Sequence, residues 1–217
     1  MSLRTKVVAA LTGATMLGGA ITGVIQHNEG LSLTAYKDSA GIPTICHGET
    51  KGVKMGQRAT LSDCQKQLIQ SAGEHAKALD GLPMQLSDVA LLGSLDLTYN
   101  VGVAGFNGSS VKRHLKSLDY AAAAKAVLDW RYISKYQQKS PGAGWVHKSG
   151  NRWTFDCSQY INGQRNKVCW GLWERRQWQS KAIGNQYKNV NAAMAELKRS
   201  VRIYGTSRFS EGWGIFY

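Results

Sequence analysis

Glu29 and Asp38 stand nine positions apart, Thr44 follows six positions later, and glycines at 30, 41 and 48 break the intervening chain. Cutting a glycosidic bond needs such a set: one carboxylic acid to protonate the leaving oxygen, and one carboxylate to orient or deprotonate a water. A helix end carrying Glu29 above a hairpin carrying Asp38 and Thr44 would bring the three together. The spacing alone is not diagnostic, because a chain with 14 acidic residues offers several such pairs. Cys46 beside His47 suggests a thiol nucleophile with its base, but neighbouring residues on a strand point to opposite faces. The cysteines at 46, 64, 157 and 169 contain no C-x-x-C pair and have no zinc-finger spacing to a histidine, so no metal site is expected. Four cysteines allow three disulfide pairings, and bridges would persist only in an oxidising compartment.

The elements that must position these residues are mostly helical. From Leu31 to His47, β-branched and aromatic residues broken by Asp38, Gly41 and Pro43 predict a small hairpin. Thr60 with Asp63 has the form of a capping box, and Leu61, Cys64, Leu68, Ala72 and Ala76 continue at helical spacing, so a helix is predicted over about 61–79. Further helical patterns cover about 86–100, 109–117, 119–131, 171–183 and 189–202. The fold class is α+β, mostly helical, with a minor sheet. Residues 137–168 interrupt this rhythm as an inserted loop or hairpin. Trp145, Trp153 and Phe155 alternate there with Lys139, Lys148, Arg152, Arg165 and Lys167, a composition that can stack on sugars or bases or close on itself as a small core.

Composition sets the outer limits. At 217 residues and 43% hydrophobic, the chain has material for one good core and is not a disordered or fibrous sequence. Its net charge of +13 predicts attraction to polyanions: nucleic acid, anionic lipid or an acidic polymer. No nucleic-acid-binding motif accompanies the charge.

Val7 to Ile25 carries no charge over 19 residues. As a helix it would span about 28 Å, close to a hydrocarbon core of roughly 30 Å. Eleven of those residues are Gly, Ala or Thr, which add little to insertion, so the anchor is weak. Arg4 and Lys6 precede it, leaving the N-terminus in the cytoplasm if the segment inserts. A cleaved signal, a permanent anchor, a segment that inserts and escapes, and a buried core helix are the readings open to it.

Four segments in order resemble one family. EGLSLTAYKDSAGIPTICHG at 29–48, ALLGSLDLTYNVGVAGF at 90–106, DYAAAAKAVLDW at 119–130 and GLWERR at 171–176 are similar to the phage-type lysozymes, glycoside hydrolase family 24. The resemblance implies a lysozyme-like fold with a small β-hairpin lobe and a larger helical lobe. It implies a muramidase, an endolysin that hydrolyses the β-1,4 bond between N-acetylmuramic acid and N-acetylglucosamine of peptidoglycan with inversion and lyses the host cell. Glu29 would be the general acid, Asp38 would hold or activate the water and Thr44 would help place it, with no cofactor or metal. Cys46 would pair with Cys64, as in similar periplasmic members, and Cys157 with Cys169. One of Arg175 and Arg176 could reach Glu29, with ordinary surface pairing expected for at least one of them.

Residues 1–26 resemble a signal-anchor-release segment. The expected organisation is this releasable anchor followed by a catalytic domain over 27–217, with the insertion at about 137–168 and a C-terminal extension from about 184. The expected partners are peptidoglycan and, transiently through residues 7–25, the inner membrane, followed by release to the periplasm as a monomer that binds no nucleic acid. The rival readings are a lytic transglycosylase, against which Asp38 and Thr44 argue, and a wall-binding or membrane-active protein without catalysis.

Overall fold

The computed structural model describes residues 2–38 and 41–202, with side chains through residue 199; the expected C-terminal extension beyond Arg202 lies outside the described residues. Two N-terminal helices, α1 (Leu3–Thr12) and α2 (Met16–Glu29), lead into an antiparallel hairpin of β1 (Ser32–Lys37) and β2 (Pro43–Cys46). Then follow α3 (Leu61–His75), α4 (Asp88–Gly108), α5 (Ser110–Leu115) and α6 (Tyr120–Val127). A β-rich insertion contains β3 (Tyr132–Tyr136), β4 (Trp145–His147), β5 (Arg152–Asp156), β6 (Tyr160–Ile161) and β7 (Gln164–Arg165), and α7 (Trp170–Ile183) and α8 (Val190–Arg202) complete the described chain.

Local chemistry sets the boundaries. Thr60 and Asp63 form the expected capping box, each side chain accepting the other's backbone N–H. The expected helix over 61–79 is α-helical to His75 and tightens to a 3₁₀ turn over Ala76–Leu79. The helix expected over 86–100 instead runs to Gly108, with a non-helical residue at Gly102. The inserted segment is a small sheet of order β3-β5-β4 with a second hairpin, β6-β7. Its first strand starts at Tyr132, ahead of the expected 137, because Tyr132 and Ile133 already pair with Asp156 and Phe155.

The charge-free N-terminal run is two helices meeting at 88°. Thr15 makes the break by capping α2: its side chain accepts the Gly18 N–H at 3.0 Å and donates to the Ala10 carbonyl at 3.2 Å. Gly18 is required at this elbow, since a Cβ there would sit 2.0 Å from the Ala10 carbonyl oxygen. Val7, Leu17, Ile21, Val24 and Ile25 are all buried in the main core, which they share with α4, α7 and α8. Burying each such side chain is worth about 1.5–3 kcal/mol, so the run is a principal part of the folded core. By composition alone α1 with α2, and α4 by itself, are long and apolar enough to cross a bilayer, but α4 is the central core helix.

Two disulfides lie outside that core. Cys46–Cys64 ties the end of β2 to α3, and Cys157–Cys169 closes the insertion against the start of α7. Both sit in small buried clusters, with Ala35 and Ile45 in one case and Phe155 in the other. Each bridge restricts the unfolded chain by an amount worth about 2–4 kcal/mol. Replacing Cys157 and Cys169 together by Ala should lower unfolding stability by about that amount in urea titration, and non-reducing peptide mapping of the parent should recover both bridges.

Candidate active site

Glu29 is the last residue of α2, and Gly30 behind it turns the chain with φ +75°. His47 Nδ1 hydrogen-bonds the Gly30 carbonyl, so the end of α2 is braced against the end of the hairpin that carries Asp38 and Thr44. Read from the sequence, His47 has only a discounted role beside Cys46; in the fold it is a brace.

The hairpin holds its two residues through one backbone unit. The Ile42 carbonyl accepts the Asp38 N–H at 3.0 Å and the Thr44 hydroxyl at 2.9 Å, while the Ile42 N–H donates to Asp38 Oδ1 at 2.9 Å. Thr44 is 3% exposed, and its hydroxyl proton is committed to Ile42, so the remaining lone pairs can accept from a water. Tyr36 is the register partner of Thr44 on β1. Partial burial and then the charges of Asp38 and Glu29 raise the pKa of its phenol.

Behind Glu29 lies a polar network that sequence reading missed in large part. Arg175 on α7 donates from Nη2 to Glu29 Oε1 at 3.0 Å and to Asp96 Oδ1 at 2.9 Å, and from Nε to Asp96 Oδ2 at 3.3 Å. Asp96 is 1% exposed in the middle of α4. It also accepts from Asn28 Nδ2 at 2.9 Å and from Gln179 Nε2 at 2.6 Å. Burial works against the charge on Arg175, but Asp96 and then Glu29 outweigh it and raise its pKa further. The close approach of α7 to α4 depends on Gly93, where a Cβ would lie 2.8 Å from that of Ala182.

The surface role expected for one of the adjacent arginines is not found. Arg175 is in the network, and Arg176 is 1% exposed. Arg176 donates to the Trp130 carbonyl at 3.0 Å, to Gln179 Oε1 at 2.6 Å and to Asn100 Oδ1. A guanidinium so deep is tolerable because several oxygens receive its N–H groups. The network thus runs from Glu29 through Arg175, Asp96 and Gln179 to Arg176 and Asn100. The signal for Asp96 was present: a single carboxylate inside the apolar run 90–98 has to find partners. Among the described residues, no group of three or more His, Cys, Asp or Glu side chains is placed to hold a metal ion.

Comparison with known proteins gives the family and the fold. The family profile described as phage lysozyme matches residues 26–147, more than half of the chain. The SAR-endolysin of Pseudomonas phage phiKMV is 32% identical over 139 residues, covering 64% of this chain and 85% of that protein. The SAR-endolysin of Escherichia phage N15 is 30% identical over 193 residues, covering 83% of this chain and 95% of its own. Among solved structures, a mutant of P22 lysozyme superposes with a TM-score of 0.52 at 26% identity, over 76% of this chain and 94% of that one. With its lysozyme-like fold and hairpin lobe, the chain belongs to the phage lysozyme family.

Proposed function

We propose that the chain is an inverting muramidase in which Glu29 is the general acid, Asp38 holds and activates the attacking water, and Thr44 helps to place that water. As a phage lysozyme it is a glycosidase of the bacterial cell wall that serves host lysis. The observation that supports this reading is the end of α2, which carries Glu29, braced through His47 and the Gly30 carbonyl against the hairpin that carries Asp38 and Thr44. Glu29 protonates the glycosidic oxygen as the β-1,4 bond to N-acetylglucosamine breaks. A water polarised by Asp38 attacks the anomeric carbon of the muramic acid residue from the other face, giving the α-anomer. Arg175 fixes the direction of Glu29 Oε1 and is itself held by Asp96. No cofactor enters this scheme.

Residues 7–25 serve in our reading as a temporary anchor in the inner membrane, N-terminus cytoplasmic, until depolarisation releases the monomer to the periplasm. The fold gives the reason this would control activity. Glu29 lies four residues beyond Ile25, and Asn28 reaches Asp96 only with α2 packed on α4. A segment held in the bilayer therefore cannot also complete the site. The large apolar residues contribute only about 0.3–0.6 kcal/mol each to insertion, against about 1.5–3 kcal/mol each when buried in the protein core. The relatives bear the printed name SAR-endolysin, consistent with this reading.

Glu29→Gln should keep the fold and lose roughly 10²- to 10⁴-fold of the hydrolytic rate, since an amide cannot donate the proton. Asp38→Asn should be severe and Thr44→Val milder. Release of reducing ends from purified peptidoglycan, with early proton NMR of the new anomer, measures both rate and stereochemistry. Near-parent hydrolysis by folded Glu29→Gln, or an anhydro-sugar product, would sink the assignment.

The anchor has its own test, placed where the folded core is untouched. Ala9, Thr12 and Gly19 are exposed in the fold, and a Cβ at Gly19 meets nothing within 4 Å. Changing all three to Leu should hold the protein in the membrane fraction and delay lysis on depolarisation. Intact-mass measurement should find residues 1–25 retained in the soluble, active form of the parent; an active species cleaved near residue 25 would replace release with signal removal.

A further inference from the structure

The insertion and the helical lobe line a groove of about 570 Å³ between the β6-β7 hairpin, α7 and the middle of α8. Every residue lining it lies beyond the 26–147 segment matched by the family profile. Trp170, Glu174, Gln177 and Lys181 present one face of α7 at intervals of a helical turn, while Arg175 and Gln179 face the catalytic network from another.

The groove is built around an aromatic corner. The rings of Tyr160 and Trp170 stand 5.1 Å apart at 67°, and Tyr160 is 58% exposed. Trp170 is held in place from two sides. Its Nε1–H donates to Glu174 Oε1 at 3.0 Å, and the Arg165 guanidinium lies 5.2 Å from its ring centroid and 3.5 Å from the same carboxylate. A rigid corner loses little conformational entropy when a ligand settles on it. The charges cancel locally: Arg165 pairs with Glu174, and Lys181 with Glu196 at 2.7 Å. In a chain of net charge +13, this neutral patch is a poor site for a polyanion. What suits it is a neutral ligand with flat C–H faces for the rings and hydroxyl or amide groups for the flanking charged side chains, in a volume typical of small-ligand sites.

We propose that this groove is a second glycan-binding site, taking a β-1,4-linked N-acetylhexosamine strand away from the point of cleavage. The assignment rests on the reading of the chain as a cell-wall glycosidase, which supplies the ligand class. Because α7 carries both the groove and Arg175, a strand held in the groove is fixed to the same rigid element that orients Glu29. The groove retains the enzyme on its polymer between cuts, so it acts on long strands and not on short fragments.

The test uses the full chain carrying Glu29→Gln, labelled with ¹⁵N, and a neutral N-acetylglucosamine tetramer as the probe. The indole N–H resonances of Trp170 and Trp173, identified through Trp170→Phe and Trp173→Phe, should shift saturably as the tetramer is added. Tyr160→Ala should weaken that response about tenfold, equivalent to ~1.4 kcal/mol for one lost aromatic contact, with the thermal midpoint unchanged. In the Glu29 background, Tyr160→Ala should slow turnover of intact sacculi and leave cleavage of short soluble fragments at the parent rate. The proposal is overturned if the tetramer leaves both indole resonances in place, if folded Tyr160→Ala and Trp170→Phe bind as the parent does, or if an anionic polymer moves the resonances and the tetramer does not. Saturable groove binding in a chain that hydrolyses no wall would instead remove the muramidase reading and leave the glycan site standing.

Discussion

A carboxylate with no access to water organises this protein. Asp96 lies inside α4 among leucines, where an uncompensated charge would cost several kcal/mol. Its compensation comes from three donors on two other helices: Asn28 at the end of α2, and Arg175 and Gln179 on α7. None of these is near it in the chain, so the charge is tolerable only after α2, α4 and α7 have docked together. The donor that satisfies Asp96 most fully, Arg175, also touches Glu29. Correct assembly of the core and correct aim of the acid are consequently one event, secured by the same guanidinium.

The end of α2 divides two tasks between consecutive residues. Asn28 reaches back to the buried carboxylate, and Glu29 accepts a hydrogen bond from Arg175. Upstream, the same helix gives Leu17, Ile21, Val24 and Ile25 to the core. The apolar run is therefore not an appendage beside a finished enzyme; it supplies the floor on which the site is laid. The 88° elbow at Thr15 and the glycine that permits it fold a segment long enough to be one rod into two short helices fitted to a globular interior.

Much of this plan was legible in the sequence because it is local. Thr60 and Asp63 mark a helix start three residues apart, and the Glu29, Asp38 and Thr44 pattern occupies a single helix end and hairpin. The Asp96 network was not, since its contacts join residues 68, 79 and 83 positions apart. Arg176 was misjudged for the same reason. Charge predicts exposure unless oxygens await it inside, and here those oxygens come from Trp130, Gln179 and Asn100. The elbow left a trace in Gly13 and Thr15, a helix-ending and a helix-starting residue in succession, but the absence of charge across 7–25 hid it. Tyr132 and Ile133 likewise had strand character before the polar tract that appeared to open the insertion.

The neck of the insertion has a consequence for how such a chain could change over generations. Arg176 on α7 holds the Trp130 carbonyl, so the strand of chain entering the insertion is fastened to the helix that leaves it. A second clasp lies just beyond, where the Cys157 N–H meets the Arg131 carbonyl and Arg131 reaches Asp156. With its ends clasped by the helical lobe, the intervening segment is free to lengthen, shorten or be exchanged, and each doubling of its length costs only about 0.6 kcal/mol in closure entropy. The neck fixes where the insertion begins and ends, and leaves the loops between as the place where length is cheapest to change.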